Sequence, residues 1–200
     1  MCGRYDLSEN AAAIRVRFRV PEVPEFAANA DLRPTQRAPI VRASREGGPE
    51  CVLARWGLVP SWAKDLAYGT RCINARAETV AGLASFRAAY RSRRCLVPVS
   101  AWYEWSGPKG ARTRFRFRLR DEPLFALAGL WESWAPPEGG ERIETYTIIT
   151  TAASAAVAPI HDRMPVVLAR DLEDRWLDPG ADPALLLVPF EHPALEFAPG

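Results

Sequence analysis

The chain has 200 residues, of which 48% are hydrophobic and 25% charged, and its formal net charge is +2. This length suits one domain, and this composition excludes a disordered or low-complexity protein. The longest stretch without a formal charge, 145–161, is too short and too rich in Thr, Ser, Ala and Pro to span a bilayer. The first residues lack the apolar core of a secretion signal, so we expect a cytoplasmic protein without a membrane segment.

In chain order, apolar periodicity and capping residues predict three helices: one over 8–18 capped by Ser8, one over 79–93, and a short Ala-rich one over 151–159 capped by Thr151. The remaining apolar runs predict strands over 51–56, 95–105, 112–120, 124–131, 144–150 and 166–168. Gly and Pro clusters between the runs are typical of turns. We expect one α+β domain over 1–200, with a curved, mostly antiparallel, barrel-like sheet and a few peripheral helices.

The run 112–120 alternates strictly, with Thr113, Phe115, Phe117 and Leu119 on one face and five arginines on the other. A turn at 121–123 follows, which predicts an antiparallel hairpin with the next apolar run. We expect the five arginines to form a solvated sheet face rather than a DNA contact.

Charge is segregated along the chain. Residues 87–120 carry ten basic side chains and one acid, Glu104, whereas 171–200 carry seven acids and one arginine. A basic central segment is compatible with a polyanion-binding surface. The alternative is that the acidic segment folds back against the basic one, and charge alone does not decide between them.

Cysteine and histidine usage indicates free thiols and no metal. The four cysteines are widely spaced without a CxxC pair, and only two histidines are present. Without a secretion signal, such cysteines are expected to stay reduced. This set does not favour a Cys/His zinc site of standard spacing, and we expect neither metal nor cofactor. The cysteines are Cys2, Cys51, Cys72 and Cys95.

Cys2 follows the initiating methionine directly, and a methionine before a small residue is normally removed. Cys2 would then carry an α-amine and a thiol on adjacent carbons, with ordinary pKa values of about 8 and about 8.5, so that both groups supply nucleophile near neutral pH. The alternative is an ordinary residue at a frayed terminus.

Three further segments have an unusual polar character. Asn74 and Arg76 stand just before a predicted helix, and His161 stands in a polar loop between ordered elements, where sites commonly lie. Glu104 stands between aromatic residues, where desolvation should raise its pKa, as a general acid requires. The alternatives are a structural histidine and a glutamate paired with a neighbouring arginine.

Together these segments resemble the SOS-response-associated peptidase (SRAP) family of abasic-site-processing proteins. The resemblance covers nearly the whole chain and rests on seven motifs in order. They are MCGRY at 1–5, LRPTQ at 32–36, WGLVPSW at 56–62, INARAE at 73–78, RCLVP at 94–98, WYEW at 102–105 and HDRMP at 161–165. The chain departs from the family near 29–34, where Asp31 and Arg33 alter a loop that by resemblance borders the DNA groove.

The resemblance implies covalent attachment to abasic sites in single-stranded DNA, within the SOS response, by a monomer that associates with the nucleoid during DNA damage. It implies an enzyme of the peptidase or hydrolase class, with lyase activity as a further expectation. The implied catalytic residues are Cys2, Asn74, Glu104 and His161. The implied DNA-binding residues are Arg4, Pro34, Trp62, Arg76, Thr150 and Arg163.

Two other classes of function remain open at the level of sequence. An N-terminal-nucleophile peptidase or amidohydrolase could use Cys2, Asn74 and His161 on an amide, and self-removal of Met1 would be its minimal reaction. A non-enzymatic reader of modified bases would bind DNA equally well without Cys2.

Overall fold

The computed structural model describes residues 2–108 and 110–200. Met1, whose removal is predicted, and Lys109 of the basic segment lie outside the described residues. Short strands and few helices make up the described part. The strands are β1 (Tyr5–Leu7), β2 (Asn29–Leu32), β3 (Arg37–Ala43), β4 (Pro49–Trp56), β5 (Asn74–Arg76), β6 (Arg94–Val99), β7 (Ala101–Ser106), β8 (Thr113–Leu119), β9 (Phe125–Trp134), β10 (Ile143–Ala152), β11 (Arg163–Pro165), β12 (Val167–Leu168) and β13 (Leu195–Pro199). The α-helices are α1 (Ala11–Phe18), α2 (Arg87–Ser92) and α3 (Glu173–Leu177), and 3₁₀ turns cover Leu66–Arg71, Arg170–Leu172 and Ala184–Leu186.

Five strands form a closed barrel. The order β10-β4-β3-β6-β9 returns to β10, because β9 also pairs with β10 over Ile143–Ile148. All these pairings are antiparallel except that between β10 and β4. The strands are rich in β-branched and aromatic residues, which suit a pleated, buried surface. Trp56 and Tyr146 are fully buried and lie nearly parallel, with ring centroids 6.3 Å apart.

A second sheet of five strands, in the order β13-β8-β7-β1-β2, packs beside the barrel. The hairpin predicted between 112–120 and 124–131 is wrong, because β8 pairs with β7 and β13 while β9 belongs to the barrel. The turn at 121–123 therefore carries the chain from one sheet to the other. β9 is buried along nearly its whole length, because its apolar side chains pack in the barrel core.

The five arginines of 112–120 lie in a surface that is partly neutralised by acids. Arg118 and Arg120 both pair with Glu196 on β13, at 2.7 and 3.2 Å, and Arg116 pairs with Asp6 at 2.9 Å. Part of the acidic C-terminal segment thus lies against the basic segment, which is the second of the two arrangements considered from charge.

The predicted helices are shorter than expected. α1 starts after Asn10, whose Oδ1 accepts from the Ala13 amide at 3.0 Å, and not after Ser8. Within 79–93, the helix covers only Arg87–Ser92, and turns take up most of the residues before it. No helix forms over 151–159: β10 continues to Ala152 and pairs there with β11, which leaves too few residues to nucleate a helix.

The strand predicted over 95–105 is two strands. It breaks at Ser100, so that β6 lies in the barrel and β7 in the second sheet. This break places Glu104 in the second sheet, next to the barrel and opposite the start of the chain. The predicted fold class, α+β with a curved, mostly antiparallel and barrel-like sheet and few helices, is confirmed.

Two glycines in contact position the loop that carries Trp62. Gly57 has a φ of +117°, and a Cβ there would lie 2.6 Å from the carbonyl oxygen of Gly69. Neither position has room for a side chain, so the 3₁₀ turn Leu66–Arg71 packs directly on the end of β4.

The four cysteines are free, as predicted, and all four are buried. Within the described residues, no helix is long and apolar enough to cross a membrane.

Candidate active site

The second sheet places the start of the chain beside Glu104. β1 pairs with β7 with Tyr5 opposite Trp102, and the Tyr103 amide donates to the Arg4 carbonyl at 3.0 Å. Cys2 is fully buried, and its Sγ lies 4.0 Å from that same carbonyl oxygen. Burial, reinforced by the negative charge of Glu104, raises the pKa of the Cys2 thiol well above its usual value.

Glu104 is buried in β7, with 1% of its surface exposed. Burial raises the pKa of its carboxyl to about 7, which confirms the direction predicted from its aromatic neighbours. A carboxyl with this pKa holds and releases a proton at neutral pH. One of its oxygens, Oε2, lies 3.8 Å from Nε2 of His161.

His161 is fixed by its own loop. Its amide donates to the Val157 carbonyl, and its Nδ1 accepts from the Arg163 amide at 2.9 Å. Burial lowers the pKa of the imidazole, which favours the neutral ring. Nδ1 also lies 2.9 Å from Oδ1 of Asp162, so each ring nitrogen has a carboxylate nearby, Asp162 at Nδ1 and Glu104 at Nε2. The loop thus holds Nε2 on the side of the Glu104 carboxyl.

Asn74 begins β5, which lies parallel to β10 with Asn74 opposite Ile148. Its Nδ2 donates to the Ile148 carbonyl at 3.4 Å. Its Oδ1 is buried and has no hydrogen-bond partner among the described residues. A buried acceptor without a partner is costly and uncommon, so this oxygen is available to a donor that the site would bind.

Two arginines flank the C-terminal end of β10. Arg76 on β5 lies opposite Thr150 and is exposed. Arg163 on β11 donates to the Thr150 carbonyl at 2.7 Å and forms a bidentate pair with Glu78 at 2.6 and 3.0 Å. Thr150 itself is fully buried, and its Oγ1 donates to the Ala75 carbonyl at 3.4 Å. Thr150 therefore joins the two strands that carry the arginines.

Arg4 lies two residues after Cys2 and is paired with Asp31. Its Nη1 donates to both Asp31 oxygens, at 2.9 and 2.7 Å, and its guanidinium lies 5.9 Å from the centre of the Trp105 ring. Arg33 donates to the same carboxylate at 2.8 Å. The pairs hold the pKa of Asp31 below its usual value.

Pro34 and Trp62 lie on two loops that meet at Trp56. The Thr35 amide donates to the Trp56 carbonyl at 2.9 Å, directly after Pro34, and the Trp62 loop starts one residue after Trp56. Trp62 is 55% exposed and meets Tyr68 edge to face, with centroids 5.1 Å apart. Its exposed face is open to a stacking partner.

Sequence reasoning missed the contacts that surround these residues: it names Asp31 only as a departure from the family, and it does not single out Glu78. The hydroxyls of Tyr5 and Tyr146 meet at 2.6 Å in the core, and the carboxylates of Asp31 and Glu78 hold two of the predicted DNA-binding arginines. Glu78 is the last residue of the INARAE motif. Its place in that motif is the one feature of the sequence that could have drawn attention to it. Within the described ranges, no group of three or more His, Cys, Asp or Glu side chains could hold a metal ion.

Comparison with known proteins places this arrangement in a family. The family model described as SOS response associated peptidase (SRAP) matches residues 1–199. Abasic site processing protein YoqW of Bacillus subtilis is 38% identical over 206 residues, covering 98% of this chain and 90% of the relative. Abasic site processing protein HMCES of Gallus gallus is 31% identical over 249 residues, covering 98% of this chain and 74% of the relative.

The fold is also found among solved structures. A crystal structure of a protein from Bacteroides thetaiotaomicron has a TM-score of 0.89 at 27% identity and covers 98% of this chain and 90% of that one. A crystal structure of a protein from Bordetella bronchiseptica has a TM-score of 0.86 at 25% identity and covers 100% of this chain and 99% of that one. The seven motifs, the fold and the relatives agree, and the chain belongs to the SOS response associated peptidase (SRAP) family.

Proposed function

We propose that this chain processes abasic sites by forming a covalent bond between Cys2 and the aldehyde of an abasic deoxyribose in single-stranded DNA. The names of the relatives support the substrate. The observation that carries the proposal is the burial of Cys2 beside Glu104, whose carboxyl has a pKa of about 7 and lies 3.8 Å from His161.

The chemistry requires a cysteine with a free α-amine, so Met1 must be removed first. The amine condenses with the aldehyde to an iminium and releases water. The Cys2 sulfur then adds to the iminium carbon, its proton passes to a base, and a five-membered thiazolidine closes. The closed ring removes the iminium that would otherwise promote strand cleavage. A lysine can make the first bond only, and an internal cysteine has no amine.

Glu104 is the proton carrier in this scheme. Opening of the sugar ring needs an acid, loss of water needs an acid, and ring closure needs a base. A carboxyl with a pKa of about 7 can serve in each step near neutral pH. The same group can return the proton and reverse the ring closure.

His161 and Asn74 position the reacting atoms. His161 donates to the sugar oxygen as the ring opens. Asn74 offers its buried Oδ1 to the Cys2 amine or the sugar, while its Nδ2 stays on the Ile148 carbonyl. Both side chains thus hold the aldehyde and the amine at bonding distance.

The strand would pass between the two groups of arginines. Arg76, Arg163 and Arg4 would contact phosphates on either side of the abasic site. Trp62 would stack on a base, a contact worth about 1–3 kcal/mol, and Pro34 would line the same groove. Thr150 would take part through its contact with Arg163.

Intact-mass measurement of the purified protein, with and without an abasic oligonucleotide, tests the proposal. We expect a protein that lacks Met1 and gains the mass of the oligonucleotide less one water, in a bond that survives denaturation. Cys2→Ala and Cys2→Ser should both give no stable adduct, because neither side chain closes the ring efficiently.

The matched control is Cys51→Ala, which removes another buried thiol, and it should cross-link normally. A stable adduct formed at the native rate by either Cys2 variant would disprove the mechanism. Turnover of peptides without any DNA adduct would support the peptidase alternative instead.

A further inference from the structure

Two arginines near the candidate centre are each paired with a carboxylate. Arg4 pairs with Asp31 at 2.7 Å, and Arg163 pairs with Glu78 at 2.6 Å. Arg76, by contrast, is exposed and forms no salt bridge within residues 2–108 and 110–200. Arg76 still interacts with Glu78 through space and helps to lower the pKa of that carboxyl, so the three arginines differ in whether a carboxylate forms a close ion pair with them.

The pairing of Arg163 uses most of its hydrogen-bonding capacity. Nη1 donates to one Glu78 oxygen, and Nη2 donates to the other and to the Thr150 carbonyl. Nε is buried without a partner among the described residues. A guanidinium has five N–H groups and binds a phosphate best through two parallel ones. Since one N–H of Nη1 is all that remains on its outer edge, a phosphate can gain a second bond only by displacing Glu78.

Asp31 holds Arg4 in a similar way and is shared with Arg33. Arg4 uses Nη1 for both carboxylate oxygens, and Arg33 uses Nε and Nη2 for one of them. Arg114 approaches the same carboxylate at 3.9 Å. A phosphate that approaches Arg4 must therefore lie close to a carboxylate of the same charge.

We propose that Asp31 and Glu78 are internal counterions, which compete with the backbone phosphates of a single strand for Arg4 and Arg163 and so limit noncovalent affinity. The proposal rests on the proposed function only in taking single-stranded DNA as the ligand. The side chains of Asp31 and Glu78 are 30% and 51% exposed. When a phosphate displaces either carboxylate from its arginine, water can therefore solvate the released carboxylate.

The consequence concerns selectivity for damaged DNA. Intact strands offer phosphates but no aldehyde, so weak phosphate binding lets them leave. An abasic strand is retained by the covalent bond, which needs no high affinity. With the two carboxylates in place, intact and abasic strands are distinguished by the covalent reaction and not by noncovalent affinity.

The test is the affinity of Asp31→Asn and Glu78→Gln for a labelled oligonucleotide without abasic sites, measured by fluorescence anisotropy over a range of salt concentrations. Each variant should bind about two- to tenfold more tightly than the native chain. Each should also show a steeper salt dependence, because the freed arginine releases a further counterion when it binds phosphate.

The matched control is Glu196→Gln, which makes the same change in net charge and also releases two arginines, Arg118 and Arg120. It should leave affinity unchanged. In a background of Arg163→Ala, most of the gain from Glu78→Gln should disappear, since only the weaker interaction of Glu78 with Arg76 remains, whereas a simple charge effect would persist in full. Melting temperatures of all variants check that they fold.

Equal or weaker binding by Asp31→Asn and Glu78→Gln would overturn the inference, since the carboxylates would then orient the arginines for the strand. An equal gain in all three variants would overturn it too, as an effect of net charge. Adduct formation by the native chain with an abasic oligonucleotide is measured separately, so its failure would reject the proposed function and not this competition.

Discussion

Burial acts on three titratable side chains of the candidate centre in the same sense. It raises the pKa of the Cys2 thiol and of Glu104, and it lowers the pKa of His161. In each case the neutral form is favoured. At neutral pH the centre therefore holds a thiol, a neutral imidazole and a carboxyl near its midpoint. This state suits a reaction in which the amine attacks first and the sulfur waits as a thiol.

Glu104→Gln should separate a catalytic role from a structural one. The amide keeps the shape of the side chain and removes its titrating proton. We expect adduct formation to slow by roughly 100- to 10,000-fold, as for loss of a general acid–base, while noncovalent affinity is kept. A time course of cross-linking measures the rate.

The control is Glu173→Gln, because Glu173 is also buried but is paired with Arg17 at 2.6 Å. Glu173→Gln should have a lower melting temperature than the native chain, and its folded molecules should cross-link at the native rate. The same pattern in Glu104→Gln would remove Glu104 from the mechanism.

The pH dependence of stability offers a second measurement on Glu104. Its pKa rises from the usual 4.5 to about 7 on folding, so the folded state binds the extra proton between these values. The contribution of Glu104 to the free energy of unfolding therefore falls as pH rises from about 4.5 to 7, and the loss is complete above 7. Glu104→Gln should gain stability relative to the native chain over this range, on the order of 2 kcal/mol at pH 8.

Thermal unfolding of both proteins at pH 5 and pH 8 measures this gain. His161 has the opposite dependence, since its lowered pKa costs stability as pH falls, and it is present in both proteins. A difference in stability that does not change with pH would mean that Glu104 ionises normally in the folded chain.

At the scale of the element, β5 and β11 each deliver one arginine to the end of β10. If these strands line the DNA path, Arg76→Ala should weaken noncovalent binding and flatten its salt dependence by a slope of about 0.7, and Arg163→Ala should have a smaller effect because Glu78 already holds that guanidinium. Affinity measured at several salt concentrations gives the slope. Arg118→Ala on β8 is the control and should change neither quantity. Unchanged affinity and slope in both test variants would place the path elsewhere.

The contact between Gly57 and Gly69 predicts a strong dependence of stability on residue size. In Gly69→Ala the new methyl group would meet the carbonyl of Gly57 and the side chain of Val59, so backbone must move. We expect a loss of about 1–3 kcal/mol in the free energy of unfolding.

Chemical denaturation of Gly69→Ala and of Gly82→Ala makes the comparison. A Cβ at Gly82 meets only a carbonyl oxygen at 3.8 Å, so that variant should keep its stability or gain slightly. Equal stability of the two variants would contradict the close approach described for Gly69.

Elements with long apolar runs could be predicted from sequence, and short ones could not. β9 and β10 span ten residues each, and their patterns are visible along the chain. β1 and β5 have three residues each, too few to display a period of two. The sheet that a strand joins depends on distant partners, which is why β8 and β9 were wrongly paired.

At the scale of the whole molecule, the electrostatics around the residues of the candidate site could be predicted from the sequence only in part. The raised pKa of Glu104 follows from its aromatic neighbours in the sequence. The pairs of Arg4 with Asp31 and of Arg163 with Glu78 join residues far apart in the chain, so no local pattern indicates them. The catalytic and DNA-binding roles of the ten named residues stay predictions.

Under the proposed function, the pairing of β1 with β7 would also determine when reactivity appears. Synthesis delivers Cys2 first, Glu104 midway and His161 near the end. Closing the long loop between β1 and β7 is entropically costly until the barrel strands are present to compensate it. Once Met1 is removed, a nascent chain would carry an aminothiol that lacks its proposed proton carrier, and it would meet aldehydes at the slow, unassisted rate of a free cysteine. Completion of the domain brings Glu104 beside Cys2 and buries the thiol, so under the proposed function folding itself would time the onset of the chemistry.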